Sequence, residues 1–390
     1  MQKLLNGQSH PDEFHKILNV DFLIIAKVHI MVESEIELEV KKEAVINPEI
    51  KEAANEFVDK VFSESNVDFE LVSILRRMSE DRIYHDMIKR PDEYKAKPQL
   101  TSVEPWDGKK PAGPRDFLKK KVSLPSLPQV LIQIQNVIND SDSSASDLAA
   151  VISKDPKLVA AILRLANSAM FSFRTEVDTP TRAVALLGFK QAGSLALGTV
   201  SLSLFKRSKV SVLEVEKFWK HSIACGVIAQ EIARAANLGD PERFFVAGLL
   251  HDIGLYVVFE SQKSLAVELL KRANKEGTSF YAAEQELLGF NHAILGGVII
   301  KDWSFPKNLV ISAAGHHNPE KAKNDPDAGV VHVADYVARA LGYDLGVSPV
   351  LGGISEAAWV NIGLSMGDFK KLLPTFEAII EDVFEILRPE

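Results

Sequence analysis

Ala247-Gly248-Leu249-Leu250-His251-Asp252-Ile253-Gly254 is the stretch on which the reading of this chain turns. A histidine followed directly by an aspartate lies inside an apolar, helix-like run. Burying either side chain costs free energy unless its polar atoms are satisfied. A divalent cation does this, because imidazole nitrogen and carboxylate oxygen are both ligands of first-row metals. A hydrogen-bonded pair of core residues does it too. What the chain supplies at a distance has to decide between them.

The sequence around this stretch is helical in pattern. Ser211 with Glu214 can form a capping box for a helix carrying Phe218, His221, Ile223, Ala224, Val227, Ile228 and Ile232. Asp240-Pro241 opens the next helix, which should contain His251 and Asp252. Gly277-Thr278-Ser279 precedes a helix with Glu284, and Asn291-His292 begins another. Gly315-His316-His317-Asn318-Pro319 comes next. Val330 to Leu341 reads as a helix with Asp335 in its apolar middle, and further helices are predicted over 354–362 and 376–387. Between 124 and 207 the pattern is also helical. Ser146 and Asp155-Pro156 are start signals, Thr181 to Leu187 is a short helix, and Gln191 to Phe205 is a buried one. No strand signal stands out there, so the expectation is an all-α bundle with short connections.

Seven residues then matter together: His221, His251, Asp252, His292, His316, His317 and Asp335. Most sit on apolar helices, where free charges are disfavoured. Converging in a bundle, they would offer nitrogen and oxygen ligands to a metal. Several neighbours have plainer readings. His332 is an ordinary surface or core histidine. His317, before Asn318-Pro319, can cap a helix C-terminus. Cys225, one turn after His221, reads as a small packed thiol or a lining group. Glu284 reads as an exposed helix residue, or else as a partner of His292. His85-Asp86 sits among charges and reads as an exposed helix face.

Residues 1–90 read as a separate small α+β module of unknown role. Phe22 to Val32 and the strictly alternating Glu35 to Lys41 are strand candidates. Helices should start at Asn47-Pro48 and run from Asp68 through Met78. Residues 91–115 hold Pro91, Pro98, Pro105, Pro111 and Pro114 with Gly108 and Gly113, the composition of a linker. Residues 116–390 form the main domain.

Composition excludes several classes. A net charge of −8 with a pI near 5.8 argues against a broad nucleic-acid surface, and Lys119-Lys120-Lys121 reads as a solvated linker edge. The single cysteine permits neither an internal disulfide nor a cysteine zinc cluster. No apolar run reaches the roughly 18 residues of a membrane span; Val20 to Val32 is broken by Lys27 and His29. The N-terminus lacks a secretory pattern. The expectation is a cytoplasmic protein with neither a membrane nor a nucleic-acid partner.

The order His221, His251-Asp252, Asp335 resembles the signature of the HD superfamily of metal-dependent phosphohydrolases. The longer text is similar to the HDOD family of bacterial signalling proteins. The matching pieces are Leu124-Pro125-Ser126-Leu127-Pro128, Asp155-Pro156, Leu163 through Ser168, Ala183 with Leu186-Leu187-Gly188, His251 through Gly254, His292-Ala293, Trp303, Pro306 and His316-His317. The resemblance runs from about residue 117 to about 340. It implies a mainly α, HD-type bundle with an added N-terminal helical lobe. It also implies a signalling role with a protein partner and a nucleotide as possible ligand. The implied cofactor is divalent metal (Fe, Mn or Mg), with one ion on His221, His251, Asp252 and Asp335, and a second on Asp252, His292, His316 and His317. The last three histidines resemble the extra ligands of the HD-GYP cyclic dinucleotide phosphodiesterases. Leu255 stands where those enzymes carry lysine, and no Gly-Tyr-Pro segment occurs in the expected window. Signalling is therefore the first reading, and metal-dependent hydrolysis of a cyclic nucleotide or dinucleotide the alternative. A core with purely structural metal lies between them. Arg164 and Lys190 are candidate phosphate contacts.

Overall fold

The computed structural model describes residues 48–91, 103–119, 127–171, 173–202, 213–322, 325–348 and 350–388. These are helical, with no strand among the described residues. The expected strands over 22–41, the Leu124-Pro125-Ser126 segment and Ser211 lie outside them. The chain divides into two compact units, Met1–Ala54 and Asn55–Glu390, and the helical bundle belongs to the second.

The helices α1 (Pro48–Val61), α2 (Glu70–Lys89) and α3 (Pro114–Lys119) come first. Next is a lobe built from α4 (Gln129–Asn139), α5 (Ala145–Ile152), α6 (Pro156–Ala166), α7 (Pro180–Leu187) and α8 (Phe189–Leu202), which pack on one another. Its helices begin on local signals. Asp155 accepts from the backbone N–H groups of Lys157 and Leu158, with Pro156 in the first turn. At α5 the cap is Ser144, not the expected Ser146. Ser144 and Asp147 form a reciprocal capping box, whereas Ser146 already lies inside the helix.

The second layer holds α9 (Val215–Ala235), α10 (Pro241–Leu250), α11 (Ile253–Ser261), α12 (Lys263–Glu276), α13 (Phe280–Leu288), α14 (His292–Asp302), α15 (Lys307–Gly315) and α16 (Pro326–Ala340). α17 (Glu356–Ile362) and α18 (Met366–Leu387) complete it. α9 is the hub: it packs on α10, α16 and α18, while α10 joins it to α8 of the lobe. Phe218, Trp219, Phe244 and Phe245 are fully buried here, each contributing about 1.5–3 kcal/mol by leaving water. Pro241–Ser261 is apolar and long enough to cross a membrane, but 89% of its 18-residue apolar window is buried in the bundle.

Residues 55–89 belong to the same unit as the bundle. Val61 accepts a hydrogen bond from Leu351 N at 2.8 Å, Ser79 donates to Ala340 O at 2.6 Å, and the Tyr336 hydroxyl donates to Ser65 at 2.7 Å. Residues 103–113, within the predicted linker, carry no helix. Two expectations need correction, both on helix bounds. The last helix starts at Met366, ten residues before the expected start, because Ser365 caps it by accepting from Asp368 N; Pro374 is carried inside. Finally, His251 and Asp252 do not lie within a helix. They form the turn between α10 and α11.

A candidate metal centre

That turn has a local cause. A helix end leaves carbonyls without partners. At the end of α10 the His251 ring takes one of them, with Nδ1–H donating to Gly248 O at 2.6 Å. The same device recurs after α15, where His316 Nδ1–H donates to Ala313 O at 2.8 Å. In both cases the bonded Nδ1 carries the proton, so Nε2 of the neutral ring presents a lone pair. His221 is set likewise, by Tyr343 O at 2.6 Å.

Close backbone approach brings these rings together. A Cβ on Gly248 would lie 2.6 Å from Gly226 N, so α9 and α10 touch where both lack side chains. His221 Nε2 consequently sits 3.3 Å from His251 Nε2. Two lone pairs at that distance repel unless a proton or a metal ion lies between them. Asp335, from the middle of α16, places Oδ1 3.4 Å from His221 Nε2. His221, His251 and Asp335 are buried, and their ligand atoms lie within 4.8 Å of one another.

Asp252 links this group to a second. Its Oδ2 is 3.3 Å from His251 Nε2, while its Oδ1 is 3.2 Å from His292 Nε2 and 3.5 Å from His316 Nε2. His317 Nε2 lies 2.8 Å from His292 Nε2. Asp252, His292, His316 and His317 form the second set of ligand atoms within 4.8 Å. Asp252 Oδ1 and His316 Nε2 are buried without a hydrogen-bond partner. Orphaned polar atoms of this kind are costly in a protein interior. A buried set of imidazoles and carboxylates with orphaned acceptors fits a first-row divalent cation. All seven residues predicted for the site are thus brought together.

The electrostatics agree with a cation-seeking centre. Burial raises the Asp252 carboxyl, but His251 and the neighbouring imidazoles hold it well below the usual carboxylate range. Burial likewise opposes ionisation of Asp335, and the hydrogen bond to His221 with the charge of Arg339 lowers it on balance. Burial pushes His251 down, yet Asp252 lifts it well above an ordinary histidine. Burial lowers His316, helped by the neighbouring His251 and His292 and opposed by Asp252; for His317 burial is the main cause, and the adjacent His316 and His292 lower it further. For His292 burial is outweighed by the Glu284 and Asp252 carboxylates, which raise it to about 10.

Glu284 is the partner of His292, not an exposed helix residue. Its side chain is fully buried, and Oε2 accepts from His292 Nδ1 at 2.5 Å and from His292 N at 3.1 Å. Such outer partners fix ring orientation and typically change metal affinity about 10–100-fold. Glu284→Gln is therefore expected to weaken metal affinity at the His292 group by that factor and to leave the His221 group unchanged. Titration of the variant with Mn2+ checks this; equal loss at both groups would refute it.

His292 also makes the site pH-dependent. In the metal-free protein its raised value contributes stability that is fully present below pH about 6.5 and is lost as pH climbs through about 10. Asp252 and Asp335 act in the opposite sense: their contribution is present above the usual carboxylate range and lost as pH falls through their lowered values. A cation must displace the His292 proton. Metal affinity is thus expected to rise about tenfold per pH unit across the neutral range. Isothermal titration in buffers of different ionisation enthalpy would count the released proton, and a pH-independent affinity would contradict the assignment.

The remaining candidates fall elsewhere. His332 is buried behind the centre: Nδ1–H donates to His316 O at 2.6 Å, and Nε2 accepts from Ser355 N at 2.9 Å. Cys225 is a buried thiol whose value burial raises. His85 is exposed on α2. Arg164 and Lys190 are exposed and do not line the cleft beside the centre. The arginine that does is Arg339, which sequence reasoning missed. Its signal was present, because Arg339 lies one helical turn after Asp335 and so shares its face. Asp252, His292, His317 and Asp335 open onto the same cleft, and Leu255 forms part of its wall.

Comparison with known proteins agrees with this architecture. Residues 124–319 match the HDOD domain family. The chain is 27% identical over 225 residues to an uncharacterised protein of Treponema pallidum, a match covering 56% of this chain and 42% of that one. It therefore spans less than half the length of that relative. Among solved structures, an HDOD domain protein of Geobacter sulfurreducens aligns with a TM-score of 0.59 at 24% identity, over 70% of this chain and 96% of that one. A candidate phosphohydrolase of Shewanella amazonensis SB2B aligns at 0.56 and 25% identity, over 70% and 97%. A candidate signal transduction protein of Marinobacter aquaeolei VT8 shares the fold at 0.53 and 19% identity, over 83% and 68%. By the half of its length that matches and by the helical fold around the His-Asp turn, the chain belongs to the HDOD family.

Proposed function

We propose that this protein is a signal-transduction module whose HDOD domain holds divalent metal and binds a phosphate-bearing ligand, such as a nucleotide, beside it. The observation that carries the reading is Asp252, whose two oxygens face two separate groups of buried ligands. His221, His251 and Asp335 would hold one ion, His292, His316 and His317 the other, with Asp252 shared. Fe, Mn or Mg suits this nitrogen and oxygen set. Divalent metal at such a site polarises phosphoryl oxygens and acidifies water. The chain's own contribution is orientation. Backbone carbonyls fix three of the imidazoles, and Glu284 fixes a fourth. Family membership supports the signalling role, in which the ligand-bound domain would dock a protein partner.

Hydrolysis of the ligand is the second reading. It is favoured by one observation: residues of both ligand groups line the cleft, so a phosphate there reaches the centre directly. Leu255, a neutral residue in that wall, favours binding over turnover.

Metal analysis of the purified chain, with phosphodiesterase assays under Mn or Fe, tests both. Bound metal is expected. A folded protein with no affinity for Mn or Fe would sink the first reading and the second with it. Turnover equal in wild type and Asp252→Ala would identify a contaminant as its source.

A further inference from the structure

The cleft itself limits what can enter. Its volume is about 220 Å3, below the roughly 300–1,000 Å3 of pockets that enclose drug-sized ligands. Arg339 is the one lysine or arginine in its described lining. The guanidinium is fixed: Nη2 donates to Val350 O at 2.8 Å and Ser348 O at 3.2 Å. Nε and Nη1 have no protein acceptor among the described residues. Glu64, exposed after α1, adds a carboxylate to the same lining. Tyr281 packs its ring 4.6 Å from the His317 imidazole and supplies an aromatic face.

We infer that the cleft selects an ester of a single phosphoryl group whose organic part is no larger than one nucleoside, with Arg339 binding the phosphoryl oxygens and Glu64 rejecting a second phosphate. The inference rests on the metal-centre reading. A planar guanidinium matches the spacing of phosphate oxygens and binds them in pairs. Beyond the metal centre, Arg339 is the one side-chain cation of the described lining, so it serves one phosphoryl group. A second group in so small a space meets the Glu64 carboxylate, and like charges in an interface discriminate between ligands. Tyr281 provides a surface for one flat ring system. Two nucleosides and two phosphodiesters, as in a cyclic dinucleotide, exceed the space.

The test uses the full chain loaded with Mn2+ and titrated with adenosine monophosphate, adenosine diphosphate and cyclic diadenylate. The monophosphate is expected to bind about tenfold or more tighter than the other two. Arg339→Lys keeps the charge and a donor for the carbonyls, so it is expected to retain the melting temperature and metal content. It should lose about tenfold in affinity for the monophosphate, because lysine lacks the planar fork. Glu64→Gln is expected to narrow the preference for monophosphate over diphosphate to about threefold or less. With Mn2+ bound, cyclic diadenylate binding as tightly as the monophosphate, or an unchanged affinity in Arg339→Lys, overturns this inference and leaves the metal reading standing. If Mn2+ fails to bind, the metal reading falls. The inference, which rests on it, then falls as well.

Discussion

Asp252→Asn is expected to strip metal from both halves of the centre while leaving the fold intact. The substitution keeps the volume of a fully enclosed side chain and replaces one carboxylate oxygen with an amide nitrogen, which is a donor and a poor ligand. No other residue can compensate, because Oδ2 faces His251 and Oδ1 faces His292 and His316. Loss of a single partner behind a ligand costs about 10–100-fold in affinity, and loss of a ligand shared between two ions should exceed about a hundredfold. The helices that carry the site are held by buried aromatic and aliphatic side chains, not by this carboxylate. Circular dichroism should therefore be unchanged while the metal-to-protein ratio after dialysis against Mn2+ falls toward zero. Metal retained at the wild-type ratio would mean that Asp252 bridges nothing. Loss of His292-side metal alone would assign Asp252 to one group only.

The candidate ligands were legible because most are polar residues on otherwise apolar stretches, and such residues need a reason to be there. The bundle was legible from caps and periodicity, as at Asp155-Pro156 and Asn291-His292. The features that escaped have physical causes too. The run from Phe244 to Phe259 is apolar on both sides of His251-Asp252, so its composition does not reveal the turn there, which a ring-to-carbonyl bond accompanies. Arg339 looks like an arginine placed in the last turn of a helix to meet its dipole. Its position in the cleft depends on Ser348 and Val350, whose carbonyls hold the guanidinium, and the sequence around them has no periodicity to read. The pairing of Ser79 with Ala340 spans 261 positions, and neither residue advertises the other. Buried Glu284 was ambiguous in the sequence because eight positions separate it from His292 and a loop intervenes.

Gly254→Ala should do more damage than any change at the ligands. Gly254 lies in the first turn of α11, where that helix crosses the start of α14. A Cβ there would stand 2.6 Å from Gly296 N and closer still to His292 O. Both are backbone atoms, so no side chain can swing aside, and the two helices must separate. Overpacking of this kind belongs to the severe tail of substitutions, about 4 kcal/mol or more, which for a unit of this size lowers the melting temperature by roughly 6 °C or more. Gly113→Ala makes the matching control, because a Cβ at that position meets nothing within 4 Å. Thermal unfolding of the two variants beside wild type separates the backbone clash from the general effect of adding a methyl group. The clash also has a direction. Pushing α14 away carries His292 with it, while His221 and Asp335, on α9 and α16, are not displaced. Any folded fraction of Gly254→Ala should therefore lose metal from the His292 side before the His221 side. An unchanged melting temperature would show that the two helices have room to spare. The glycine two residues after Asp252 would then be dispensable to the site's construction.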